Sequence, residues 1–172
     1  MENPKLRSFK NDLAFGLAKE LEVVDLLKMN FDGEADIKNT KDLYADEFYP
    51  YDYEGLTTGM TFELKSRRVK KRQYDTTIIP VAKVRKNQIP PQLFVFNFTD
   101  NCSYITYDEE RFKKYRIGDV STTRWGKVDM PKPHYFIPVA DLIDLVQVYR
   151  SPPTEDMTQS DYSGESDNDG AD

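Results

Sequence analysis

The sequence predicts an α/β (α+β) domain over residues 1–150, opening with elements in the order αβββαβ, and an acidic tail over 151–172. Three observations predict it. Apolar residues recur at helical spacing through Phe9, Leu13, Leu17, Val24 and Leu27. Residues 60–66 alternate with period two, as a strand with two different faces does. Gln92 to Phe98 is apolar almost throughout, the composition of a central strand buried on both sides.

Ser8 is the expected N-cap of the first helix, which should run to about Met29. Residues 30–43 read as a turn-rich connection whose acids, Asp32, Glu34 and Asp36, lack EF-hand spacing and suit a solvated loop. The aromatic-rich segment Tyr49 to Glu54 is the expected first strand of a hairpin. Gly55 and Gly59 enclose its turn, and Met60 to Ser66 forms the return strand. In that strand Met60, Phe62 and Leu64 face one way, and Thr61, Glu63 and Lys65 the other.

The β-branched run Asp75 to Ile79 is a third strand. Pro80 ends it and opens a short helix, Val81 to Gln88, which Pro90 and Pro91 stop. After the central strand come a strand at Ser103–Tyr107 and a short helix capped by Asp108. A long loop spans 116–133, a strand Tyr135–Val139, and a closing helix Ala140–Tyr149 places Leu142, Leu145 and Val146 at helical spacing. The Ser-, Asp- and Gly-rich tail has little to bury and should be disordered.

Composition excludes several chemistries. Cys102 and His134 are the only residues of their kinds, so a disulfide within the chain and Cys/His zinc sites are ruled out. A Cys–His nucleophile pair would need those two to meet, and Cys102 reads as a packed thiol. No apolar run approaches the roughly 20 residues of a membrane span, and no signal-peptide core opens the chain. A soluble, intracellular protein is therefore expected, in cytoplasm or nucleus. The net charge of −6 hides an asymmetry. Seven of the 30 acids lie in 151–172 with no Lys or Arg, leaving 23 acids against 24 bases, or +1, in residues 1–150.

The chemistry concentrates on the hairpin. It should bring Asp52 near Glu63, with Lys65 on the same face as Glu63. Two carboxylates converging beside an ammonium suit a hard divalent cation better than a folding core. On the helix, Glu20 falls in the middle of the apolar stripe, where a carboxylate is costly unless paired or metal-bound.

The pattern D-x10-E-x-K, carried by Asp52, Glu63 and Lys65, resembles the PD-(D/E)xK nuclease superfamily of restriction enzymes, junction resolvases and repair exonucleases. The resemblance covers roughly residues 8–100. It implies a restriction-endonuclease-like core, a mixed central sheet flanked by helices, and magnesium-dependent endonuclease or exonuclease hydrolysis of DNA. It also implies that Asp52, Glu63 and the Leu64 carbonyl bind Mg²⁺ or Mn²⁺. Lys65 would be the catalytic lysine that orients the water, and Glu20 would hold a second cation or its water. Tyr51 separates Pro50 from Asp52, so the literal Pro-Asp pair is missing, and Asp46 competes for the aspartate role. Relatives often dimerise, so a homodimer is allowed, although no dimer face is recognisable. The succession from Glu63 to Lys83 is also similar to small nucleases encoded by large DNA viruses.

After Lys65 the chain turns basic: Arg67, Arg68, Lys70, Lys71 and Arg72, with Lys83 further on. A solvated hairpin tip and a nuclear-import signal both fit. Its continuation from the acidic site makes DNA-phosphate contact the favoured role. Trp125, between Arg124 and Gly126, either anchors its loop or stacks a base, the anchor being preferred. The alternative to the enzyme is a non-catalytic nucleic-acid-binding or interaction protein on a nuclease-like fold.

Overall fold

The computed structural model describes residues 20–31, 36–45, 49–121, 123–124 and 127–145. Ser8 and the first half of the predicted helix, Asp46, Trp125 and the tail therefore lie outside the described residues. The fold is mixed α/β with a mixed sheet and few helices. Helix α1 (20–30) is followed by β1 (Ile37–Asn39), helix α2 (Thr40–Tyr44), β2 (Tyr53–Gly55) and β3 (Thr61–Ser66). Then come β4 (Thr76–Pro80), β5 (Leu93–Asn97), β6 (Cys102–Thr106), helix α3 (Glu109–Phe112), β7 (Arg116–Val120), β8 (Thr123–Arg124), β9 (Lys127–Val128), β10 (Lys132–Pro138) and β11 (Ile143–Asp144).

Six strands form the main sheet in the order β1-β2-β3-β5-β6-β11, and β4, β10 and β7 form a second. Among the described residues only β3 and β5 pair in parallel, with Glu63 beside Phe94 and Lys65 beside Phe96. The two faces of β5 separate two cores. Leu93 and Val95 pack with Val23 and Leu27 of α1, Phe62, Ile37 and Tyr53. Phe94 and Phe96 pack with Ile79, Tyr135 and Ile137 of the second sheet and Phe112 of α3. Leu93 to Phe96 are at most 1% exposed, so each large side chain contributes roughly 2–3 kcal/mol of burial.

The hairpin forms as its alternation requires. Met60, Phe62 and Leu64 all pack toward the α1 core. Gly59, at φ 73°, supplies the left-handed turn residue, and its N–H donates to the Gly55 carbonyl at 2.8 Å. The first strand is shorter than expected, because pairing as a strand begins only at Tyr53.

Four predicted elements differ. Residues 30–43 are not merely a turn: Asn39 ends β1 and caps α2, its side chain accepting from Lys41 N at 2.9 Å. The helix over Val81–Gln88 is a single 3-10 turn, Val81–Lys83. Asn87 takes the left-handed conformation at φ 60°, and the Arg85 N–H is drawn to the Gln92 side chain at 3.0 Å, so no helical ladder continues. The loop 116–133 contains β7, which pairs with β10, and the Arg116 guanidinium sits 3.6 Å from the Phe136 ring centre.

The closing helix is absent from 140–145. A 3-10 turn, Val139–Asp141, leads into β11, which pairs with β6. Leu142 and Leu145 are three apart, a helical spacing. In near-extended chain an odd separation instead sends them to opposite faces, Leu142 to the second-sheet core and Leu145 to the α1 core.

Candidate active site

Strand β3 carries Glu63 into the middle of the main sheet, between β2 and β5. There its side chain is 1% exposed. A carboxylate so placed must be neutralised or compensated. Two lysines compensate it. Lys65 Nζ lies 2.5 Å from Oε1, and Lys83 Nζ lies 3.1 Å from Oε1 and 3.3 Å from Oε2. Lys65 comes from the same strand two residues on, as the alternation predicts. Lys83 comes from the turn after β4 and also donates to the Pro50 carbonyl at 3.4 Å. Its role beside the acid was not legible: the sequence marked it only as a DNA-binding cation.

Asp52 stands where β2 gives way. Its N–H donates to the Phe62 carbonyl at 3.0 Å, its carbonyl accepts from Thr40 N at 3.0 Å, and its carboxylate accepts the Leu64 N–H at 2.7 Å. The hairpin thus delivers Asp52 to the residue between Glu63 and Lys65, as expected from the ten-residue separation. The Thr40 hydroxyl donates to the Tyr51 carbonyl at 2.6 Å, which fixes α2 against this strand.

Glu20, on α1, is half-buried. Desolvation raises its carboxyl pKa above the ordinary 4.5, Lys41 opposes the rise, and the charge of Asp52 adds to it. The predicted inward glutamate is therefore within electrostatic reach of Asp52. Glu63 is held by its two lysines, while Asp52 is bonded to the neighbouring Leu64 amide and its charge reaches Glu20. Among the described residues no three Asp, Glu, His or Cys side chains converge closely enough to share a metal ion. The donors are nonetheless of the right kind. They are hard carboxylate oxygens, one of them so buried that it requires positive charge beside it. Mg²⁺ needs only one or two such carboxylates and retains water for the rest.

The basic run divides. Arg67 turns inward: its guanidinium donates to the Ile78 carbonyl at 2.5 Å and to Thr77 Oγ1 at 3.3 Å, and lies 5.9 Å from the Phe96 ring centre. It is a bolt between the two sheets, and burial lowers its pKa. Lys71 is ion-paired to Asp144, and its N–H donates to Asp100 at 2.8 Å. Arg68, Lys70 and Arg72 lie at the exposed surface. At about 3.3 Å per residue along a strand, Arg67 is some 13 Å from Glu63, so the exposed bases flank the acid instead of surrounding it.

A cleft lined by Lys70, Lys71, Arg72, Gln73, Asp100, Asn101 and Asp144 sits at this basic turn and does not include Glu63. Cys102 is buried, as a packed thiol should be. Burial, with Asp144 adding to it, pushes the thiol up to about 12, which removes it as a nucleophile. Two side-chain amides, one buried and one half-buried, tie this region together. Gln92 is fully buried with its Oε1 on Arg85 N, and Gln88 Nε2 donates to Thr61 Oγ1 at 2.7 Å. No family model, no curated protein and no solved structure matches the chain.

Proposed function

We propose that this chain is a metal-dependent nuclease that hydrolyses phosphodiester bonds of DNA on a restriction-endonuclease-like arrangement of α1, β2, β3 and β5. One observation carries the reading: a fully buried glutamate at the centre of a sheet, flanked by Lys65 and Lys83, with Asp52 bonded to the intervening backbone amide. A structural role alone seldom sustains such an acid, because an apolar residue of similar size is usually at least as stable there.

In this reading Asp52 and Glu63 hold Mg²⁺ or Mn²⁺, with the Leu64 carbonyl available to join them. When bound, the cation supplies charge neutralisation at the scissile phosphate. Lys65 orients the attacking water and offsets the negative charge that grows on the phosphate oxygens. Lys83 keeps the Glu63 carboxylate fixed in its rotamer. Glu20 sets the charge around Asp52. Lys70 and Arg72, exposed beyond the end of β3, would be the contacts to a phosphate backbone in this reading.

A cleavage panel tests the reading: plasmid, linear duplex, single strand and four-way junction, each with Mg²⁺, Mn²⁺ or chelator. Cleavage that needs both the cation and Lys65 is the expected result. One observation favours a second reading, a non-catalytic nucleic-acid-binding protein on the same framework: both Glu63 oxygens are already engaged by lysine. Binding without cation-dependent cleavage of any substrate would select it.

A further inference from the structure

Beside this site lies an aromatic assembly that neither hydrophobic core absorbs. Tyr44, at the end of α2, stacks face to face on Tyr49, with ring centres 4.2 Å apart and planes 9° apart. Tyr49 meets Tyr51 edge-on at 5.1 Å. The hydroxyls of Tyr44 and Tyr51 donate to one oxygen of Glu54, at 2.8 and 3.0 Å. On the far side the Arg85 guanidinium lies 5.3 Å from the Tyr51 ring centre. The rings are held at their hydroxyls and by each other, so little side-chain entropy remains to be lost on binding. Tyr44 is nevertheless 44% exposed. A rigid, already stacked pair with open ring surface is a poor use of tyrosine for folding and a good platform for another flat π-system.

The row leads to the candidate centre. Tyr51 adjoins Asp52 in the chain, and Lys83, which bonds the Pro50 carbonyl, is two residues from Arg85. A base on the outward face of Tyr44 would extend a row whose other end, at Tyr51, lies beside Arg85 and next in the chain to Asp52. We propose that this tyrosine row binds an unpaired base, so that the site takes single-stranded or locally unpaired nucleic acid, with the adjoining phosphates passing Arg85 and Lys83. Duplex bases are stacked on one another and cannot offer a face to Tyr44. Unpaired bases can, and each base stacked on an aromatic side chain is typically worth about 1–3 kcal/mol, or roughly five- to 150-fold in affinity. The proposal rests on the nuclease reading only for what happens at Glu63. The binding step stands apart from hydrolysis.

The test is fluorescence anisotropy in Ca²⁺, which limits cleavage, using a fluorescein-labelled single strand and a duplex of the same length. Tyr44→Leu and Tyr49→Leu should each weaken the single strand about tenfold, so that the ratio of single-strand to duplex affinity falls by nearly that factor. Tyr44→Phe keeps the ring face and should lose less than about threefold, the scale of one exposed hydrogen bond. Circular dichroism checks that each variant is folded. An unchanged ratio in both Leu variants overturns the proposal. So does a Tyr44→Phe loss equal to that of Tyr44→Leu, which would assign the effect to the hydroxyl. Absence of single-strand binding in the unsubstituted protein also overturns it. Cation- and Lys65-dependent cutting of duplex would then leave the nuclease reading standing without this one.

Discussion

Two lysine–carboxylate contacts on the main sheet share their chemistry and almost nothing else. Glu63 sits on an inner strand, 1% exposed, between lysines that are 22% and 35% exposed. Asp144 sits on the edge strand β11, 57% exposed, and receives Lys71 together with the Ser103 hydroxyl at 2.7 Å. If Lys71 is removed, water replaces it. If the lysines of Glu63 are removed, a charge is stranded where water hardly reaches. The exposed contact is a tether that holds the basic turn against the sheet edge. The buried one holds a charge that solvent cannot take over, so its lysine partners cannot be exchanged for water.

The largest effect that can break this contrast is catalytic. Glu63→Ala and Lys65→Ala should each lower Mg²⁺-dependent cleavage at least about a thousandfold, or about 4 kcal/mol of transition-state stabilisation. Both should remain folded by circular dichroism. Wild-type rates in both folded variants would reduce Glu63 to an ordinary buried ion pair. Asp52→Ala should lose Mn²⁺ binding in calorimetry, and retained binding would move the aspartate role to Asp46.

Next is stability. The double change Lys65→Met with Lys83→Met leaves Glu63 without its cations and should cost about 3–5 kcal/mol in a urea melt without divalent cation. A loss below about 1 kcal/mol would mean that Glu63 finds solvent despite its position, and the contrast with Asp144 would collapse.

Glu20 gives a smaller effect with a definite sign. Desolvation raises its folded pKa, with Asp52 adding and Lys41 opposing, so the folded state binds the proton more tightly than the unfolded chain does. Stability from this group is present below the ordinary value of 4.5 and lost as pH climbs through the folded pKa. Glu20→Gln should flatten that decline and leave the metal-free protein as stable at pH 7 as wild type or up to about 1 kcal/mol more so. The same variant should gain less thermal stability from Mn²⁺. An unaltered pH slope would show that Glu20 is simply paired.

The smallest effect belongs to the tether. Lys71→Ala should cost about 0.5 kcal/mol, and 1 M salt should erase most of the difference. Burial pushes the Asp144 carboxyl up, but hydrogen bonds from Lys71 and Ser103 outweigh it and leave the group below its ordinary 3.8. Its contribution is therefore present above that value and lost as pH falls further through the folded pKa. A salt-independent loss of several kcal/mol would place this pair in the same class as Glu63.

The parts legible in the sequence were those encoded locally. Period-two alternation in 60–66 gave the face shared by Glu63 and Lys65, and the apolar run gave β5 its central place. The Asp108 cap is also as expected, its carboxylate accepting from Arg111 N at 2.7 Å. What failed depended on partners far along the chain. Lys83 becomes a neighbour of Glu63 only because β4 leaves the main sheet. Arg67 becomes structural only because Ile78 presents a carbonyl to it across the two sheets. The leucines at 142 and 145 fitted a helix equally well until β6 offered β11 a partner. Local spacing cannot distinguish these outcomes, since tertiary pairing decides them.

The parallel pairing of β3 with β5 has a kinetic consequence. A parallel neighbour cannot be reached by a tight turn, and here the crossing chain, residues 67–92, carries β4 of the other sheet. Its β4 segment finds a partner only when β10 arrives from residues 132–138. Phe94 and Phe96 of β5 are covered by the second sheet and α3, so the two sheets bury their shared core together, and loop-closure entropy is spent early while its return comes late. Amide protons of β3, β5, β4 and β10 should then exchange as one cooperative unit at the global unfolding free energy, whereas those of the peripheral β8–β9 pair exchange through cheaper local openings.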